Sequence, residues 1–218
     1  MTIHLEHDLE NVRARIFTMA DLVCEAIINS VNSLKNSDLT LAQDVIDEDS
    51  KLDDLEIEID NLCVKILVTR QPAAVHMRLV LAMLKINTDL ERIGDLATNI
   101  AKETLKLSGR PLLKPPIDIS RMSSIGIEMI RDSFLAISEK SVEKAMKVIE
   151  KDNELDDINL QIYRELFSYM AEKPDTISDA LGLIMIAKSL ERIGDHATNI
   201  AERAIYYIEG VDVRHSER

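Results

Sequence analysis

The sequence predicts an all-α protein: two tandem, duplicated three-helix bundles, six long antiparallel helices in all. Three observations carry this reading. The chain is 46% hydrophobic and 30% charged but only 3% aromatic, with six Gly and five Pro in 218 residues, a mixture that suits helices packed by Leu, Ile and Met. Apolar residues recur at spacings of three and four, the period of an amphipathic helix. And the segment LERIGDLATNIA at 90–101 returns as LERIGDHATNIA at 190–201, identical at eleven of twelve positions.

Helix one is expected over about 4–35, through Val12, Ile16, Met19, Val23, Ile27, Val31 and Leu34. Asn36-Ser37-Asp38 breaks it, and Asp38 is placed to cap helix two, over about 39–69. Arg70-Gln71-Pro72 ends that helix, because proline disfavours helical backbone at the residue before it. Helix three follows over about 73–107. The Gly/Pro cluster SGRPLLKPP at 108–116 is the one clear linker. The pattern then restarts with helices over about 117–137, 138–171 and 175–210, and a polar tail from 211 to 218. The expected units are 1–108, a linker at 109–116, and 117–218.

The duplication reaches beyond the opening motif. VIDEDSKLDDLEIEI at 45–59 aligns with VIEKDNELDDINLQI at 148–162, and Met19 with Met122 and Glu25 with Glu128 on the same offset of 103. A period near one hundred residues is too long for a solenoid and suits a duplicated domain.

Charge narrows the partners. With 39 acids against 26 bases the formal charge is −13, which repels nucleic acid and anionic lipid and attracts cations or basic surfaces. Residues 1–11 are charged and polar, unlike a secretory signal, and the longest apolar run, at 79–84, is too short to span a bilayer. A soluble, cytoplasmic chain is expected, without membrane insertion, although docking on a membrane protein stays open. Cys24 and Cys63 form no CxxC and read as buried reduced thiols. Met83, Met129, Met170 and Met185 read as core filler.

The candidate chemistry lies in acid pairs four residues apart, which fall on one side of a helix, one turn from each other. They are Asp49 with Asp53, Glu91 with Asp95, Asp152 with Asp156, and Glu191 with Asp195. Like charges at that spacing weaken an isolated helix by roughly 0.2–0.5 kcal/mol. The turn serves as a ruler. Asp53 and Asp49 stand 19 and 23 residues before Pro72, and Glu91 and Asp95 stand 19 and 23 after it. In an antiparallel hairpin all four carboxylates then share one height, roughly 30 Å from the turn. The second hairpin repeats the coincidence: Asp156 and Asp152 are 18 and 22 before Pro174, Glu191 and Asp195 17 and 21 after it. A groove of oxygen donors suits a hard or borderline divalent ion such as Mg, Mn or Fe, with Zn also open. Asn99 and Asn199 extend each acid row by a turn and are candidate additional ligands. Gly94 and Gly194 cost helix stability and suit a close approach. The competing reading is a solvated acidic face with Arg92 and Arg192 as its partners.

Other constellations are weaker. His196, which replaces Leu96 of the first copy, reads as a surface or interface residue, and His4, His7 and His76 as surface residues. There is no Walker loop, GxGxxG, nucleophile elbow, HExxH or Glu-x-x-His, so no catalytic residue is assigned and the chain is expected not to be an enzyme.

LERIGDxATNIA in each half, preceded by VI(D/E)xDxxLDD and a Gln-Pro turn, resembles the PhoU family of phosphate-uptake regulators. The resemblance spans nearly the whole chain. It implies a cytoplasmic, non-enzymatic, often dimeric regulator, peripheral at the inner membrane through its partners. It implies negative regulation of the phosphate-starvation response, linking the ATPase of a phosphate ABC transporter to a sensor histidine kinase. It also implies that the four acid pairs above are metal-binding E/D-x-x-x-D motifs. Two departures touch the turns: His76-Met77-Arg78 stands where the family usually has Asp-Leu-Arg, and Lys173-Pro174-Asp175 lacks the Gln-Pro signature. The alternatives are a metal-dependent hydrolase using the acidic grooves and a purely structural helical protein.

Overall fold

A computed structural model describes residues 2–107 and 118–213. It contains six long α-helices: α1 (Thr2–Asn36), α2 (Leu39–Arg70), α3 (Ala74–Lys106), α4 (Ile119–Glu139), α5 (Val142–Glu172) and α6 (Ile177–Glu209). One 3-10 turn, Pro174–Thr176, leads into α6. The predicted linker lies outside the described residues.

Local chemistry sets the breaks. Asp38 caps α2, its carboxylate accepting from the Leu41 amide at 3.0 Å. Gln71 closes α2 in the left-handed region at φ 43°, and Pro72 follows. Ser141 caps α5 by accepting from the Lys144 amide at 3.3 Å. The boundary between α4 and α5 falls later than the apolar pattern suggested. Lys140 adopts φ 51° as the C-cap of α4, so that helix continues to Glu139 and α5 begins at Val142. Gly210, at φ 75°, ends α6.

In each half the three helices pack on one another, α1–α3 in the first and α4–α6 in the second. The halves meet chiefly where α3 lies on α6, and also where α1 meets α4. One core runs through both, with Ile16, Met19, Ile27, Ile59, Ile93, Met122 and Met129 fully buried. Burying each such side chain contributes roughly 1.5–3 kcal/mol. At the α1/α4 contact Phe17 and Phe134 pack edge to face, ring centroids 5.0 Å apart.

α3 and α6 run antiparallel. The C-terminal Leu107 of α3 packs on Gly182 near the start of α6, and Gly210 at the end of α6 meets the Arg78 guanidinium near the start of α3. The turns at Pro72 and Pro174 therefore point to opposite ends of the molecule.

Cys24 and Cys63 are free and buried, and burial pushes their thiols up to about 11 and about 12. Met83 and Met129 are core residues as expected, and Met170 is partly buried. Met185 is not: it is 55% exposed, on an outward row of α6 with Ile177 and Leu181. No helix among the described residues is long and apolar enough to cross a membrane.

Candidate functional site

The ruler drawn from the turns holds in three dimensions. A Cβ built on Gly94 would stand 2.6 Å from Leu52 Cδ1 and 3.7 Å from Asp49 Oδ1. On Gly194 it would stand 2.4 Å from Leu155 Cδ2 and 2.9 Å from Asp152 Oδ1. The glycine before Asp95 or Asp195 is thus a point of close approach between α3 and α2, and between α6 and α5. A larger residue there would hold the carboxylates of the paired helices apart.

Around the first contact, Asp49, Glu91 and Asp95 are half-buried and Asp53 is exposed. Burial pushes the Asp49 carboxyl above the usual range; the Thr98 hydroxyl pulls it back, and Asp53 and Asp95 raise it further. Glu91 is raised in the same way, by burial first and then by Asp95, with Glu56 and Asp53 adding to it. Glu56, one turn beyond Asp53 on α2, is itself raised by burial and by Asp60 and Asp53. Glu56 was legible only as a polar break in the α2 apolar stripe. The signal that finds it is its place one turn past Asp53, facing Glu91 across the groove. Arg92 is the local cation, 3.4 Å from Glu91 and 3.1 Å from Asp95.

Asp49 is reached from a second side. A cleft of about 150 Å³ opens between α1, α2 and α3, lined by Glu25, Asn29, Glu48, Asp49 and Thr98 among others.

In the second half Asp152 is buried, Glu191 half-buried, and Asp156 and Asp195 exposed. Although the residue as a whole is exposed, the packing around the Asp195 carboxyl takes it partly out of water and raises it, with Asp156 adding and Lys188 opposing. Lys188 holds both oxygens of Glu191, at 2.6 and 2.5 Å.

The two asparagines are placed differently. Asn99 is exposed. Asn199 turns towards the other half, its amide donating to Asp89 Oδ1 on α3 at 3.1 Å. The reason is helical drift: four residues rotate by about 400°, so a second step of four carries the row about 80° around from Glu191. His196 takes the interface role, its Nδ1 lying 2.9 Å from the same Asp89 oxygen. His4 and His7 are exposed and His76 is half-exposed.

The donors present are hard oxygen ligands, and that chemistry fits a divalent cation. They are not assembled as a cage. Among the described residues no group of three or more His, Cys, Asp or Glu stands close enough to hold a metal ion. Arg92 and Lys188 draw carboxylates of each row to themselves.

The PhoU domain family matches the chain twice, over residues 16–104 and 119–204, once in each half. The chain belongs to the PhoU family. It is 40% identical over 208 residues to the phosphate-specific transport system accessory protein PhoU homolog of Aquifex aeolicus, covering 95% of this chain and 94% of that one. It is 34% identical over 211 residues to the corresponding PhoU of Escherichia coli, covering 95% and 86%. The fold matches the crystal structure of PhoU from Pseudomonas aeruginosa with a TM-score of 0.90 at 36% identity, over 94% of this chain and 99% of that one. PhoU proteins are regulatory accessory proteins rather than enzymes, as the sequence reading expects of this chain.

Proposed function

We propose that this PhoU-family chain is a cytoplasmic regulator of phosphate uptake and of the phosphate-starvation response. It acts as a metal-binding helical adaptor. The observation that carries the reading is full-length similarity to phosphate-specific transport accessory proteins, together with two acid rows that face each other at matched heights in both hairpins. Its partners are the ATPase of a phosphate ABC transporter and a sensor histidine kinase. It restrains the phosphate response, works as a homodimer, and sits at the inner membrane through those partners.

Asp49, Asp53, Glu91 and Asp95 would hold the ion of the first half; Asp152, Asp156, Glu191 and Asp195 that of the second. Iron, zinc, manganese or magnesium all suit such donors. A bound cation supplies positive charge to carboxylates that otherwise repel one another. The side chains then do the rest: with Glu91 and Asp95 drawn away from Arg92, α2 and α3 are tied at mid-height. A partner that prefers the tied state is thereby coupled to metal occupancy.

The test is a pull-down with tagged protein, wild type beside Asp53→Asn/Glu91→Gln, from membrane extracts of phosphate-rich and phosphate-starved cells. The expected result is recovery of the transporter ATPase or the sensor kinase, changing with phosphate and weaker in the variant. Equal recovery by both forms would leave the adaptor standing and reduce the metal to a structural part. Recovery of neither would overturn the adaptor.

A further inference from the structure

α3 and α6 share eleven of the twelve residues of 90–101 and 190–201, so much of the face each offers the other is common to both. Among the positions at which the two helices differ, two matter here. His196 stands where the first copy has Leu96, and Asp89 stands where the second has Ser189. These departures meet. Asp89, 9% exposed, accepts from Asn199 at 3.1 Å and pairs with His196 Nδ1 at 2.9 Å. The pseudo-twofold relation that sets Asp89 against His196 sets Ser189 against Leu96. At that site no polar partner is needed, because the Ser189 hydroxyl donates to its own helix, to the Met185 carbonyl at 3.0 Å.

The geometry points to a pairing key: Asp89 and His196 make α3 dock on α6 of its own chain in preference to α3 of a second copy. In an α3–α3 pair of the same geometry, each Asp89 would face a Leu96. Asn99, the counterpart of Asn199, would still offer an amide to each Asp89, but an apolar side chain would stand where the histidine is. A buried carboxylate that loses one of its two partners weakens the interface that holds it.

A separate observation acts in the same direction. Leu107 of α3 fills the space left by Gly182 of α6, where a Cβ would stand 3.0 Å from Leu107 Cδ2. The residue of α3 that corresponds to Gly182 is Ala82. An α3–α3 pair therefore also brings a methyl group against each Leu107. Both features penalise the same wrong partner.

The experiment uses the full chain in three forms: wild type; Asp89→Ser/His196→Leu, in which all pairings present the same residues at the two key positions; and Asp89→Ser/Leu96→His/Ser189→Asp/His196→Leu, in which the key moves to the symmetry-related site. Each is unfolded in denaturant and refolded at high concentration. Intertwined oligomer is then read by size-exclusion chromatography with light scattering, as the species that fails to exchange with tagged wild type. The erased form should give several-fold more intertwined oligomer than wild type, and the moved key should return the yield to the wild-type level. An unchanged yield in the erased form would overturn the key, as would a moved key that behaves like the erased one. Should the fourfold variant fail to fold, melting temperatures of Asp89→Ser, His196→Leu and their double variant decide. The double must lose less than the two single losses together; additive losses overturn the proposal.

Discussion

The two acidic grooves hold the same four ligand positions in different surroundings. The first gathers a fifth carboxylate, Glu56, where the second has Asn159. The first has Thr88 where the second has Lys188, which grips Glu191. The first has Lys102, which lowers Asp49, where the second has Glu202, itself buried. Duplication thus kept the carboxylates and altered the charges around them. The exchange of Lys102 for Glu202 offsets the gain of Lys188 in overall charge, so what separates the rows is position: the second has an ammonium directly on Glu191, which the first lacks. Equal motifs do not make equal sites: the neighbours set how strongly each row calls for a cation.

The largest effect that separates the halves is steric. Gly194→Ala must displace both Leu155 and the buried Asp152 carboxylate, whereas Gly94→Ala meets mainly Leu52. Overpacking costs about 1–3 kcal/mol, partly offset by the better helix propensity of alanine. Thermal melting should show a loss of roughly 2–4 °C for each kcal/mol, larger for Gly194→Ala. Equal losses would mean that the two contacts are equally compliant and would erase this contrast.

Cation binding is next. The metal-free protein, titrated with Mn²⁺ by calorimetry, should bind more tightly in its first half. Asp53→Asn/Glu91→Gln should therefore remove the tighter phase and Asp156→Asn/Glu191→Gln the weaker. Lys188→Thr, which frees Glu191, should strengthen the second phase by roughly tenfold, equivalent to about 1.4 kcal/mol. A single phase lost equally in both double variants would break the comparison.

A smaller effect concerns Glu56. Glu56→Gln relieves like-charge crowding and should raise the melting temperature of the metal-free protein, by a few tenths of a kcal/mol in stability. Asn159→Glu, which adds the missing carboxylate to the second groove, should lower it.

The smallest concerns a strap in the first half. Arg70 donates to Asp8 at 2.8 Å, tying the end of α2 to the start of α1, and holds the Asp8 carboxyl below its ordinary value of 3.8. A lowered carboxylate favours the folded state above its ordinary range, and this contribution is lost as pH falls through the lowered value. The melting difference between wild type and Arg70→Gln should be present at neutral pH and shrink below pH 3.8. The second half has Lys173 in that place, over the Tyr169 ring at 5.0 Å from its centroid. Lys173→Gln should therefore show no such acid dependence.

What could be read from the chain was set by local rules. Asp38 and Pro72 mark helix ends by their own chemistry, and residue counts from Pro72 and Pro174 place the acids at equal heights because every helical residue rises equally. Lateral placement is a different matter. Asn199 continues the acid row by its four-residue spacing, which is straight over one step, but drift over two turns it onto α3. His196 gave no hint of Asp89, since 107 residues separate them and only the packing of the halves brings them together. Met185 looked like core because its type is apolar, whereas its position faces outward.

The antiparallel lie of α3 on α6 has a consequence for reach. The hairpin turns stand at opposite ends, one flanked by the outward Val68 and Val75, the other by the outward Phe167 and Ile177. Helices of 33 residues separate the two ends by about 50 Å. A large protein seated on one end leaves the other uncovered. The molecule can thus be occupied from both ends at once, as a strut of fixed length, and two occupants would communicate only through the helices between them.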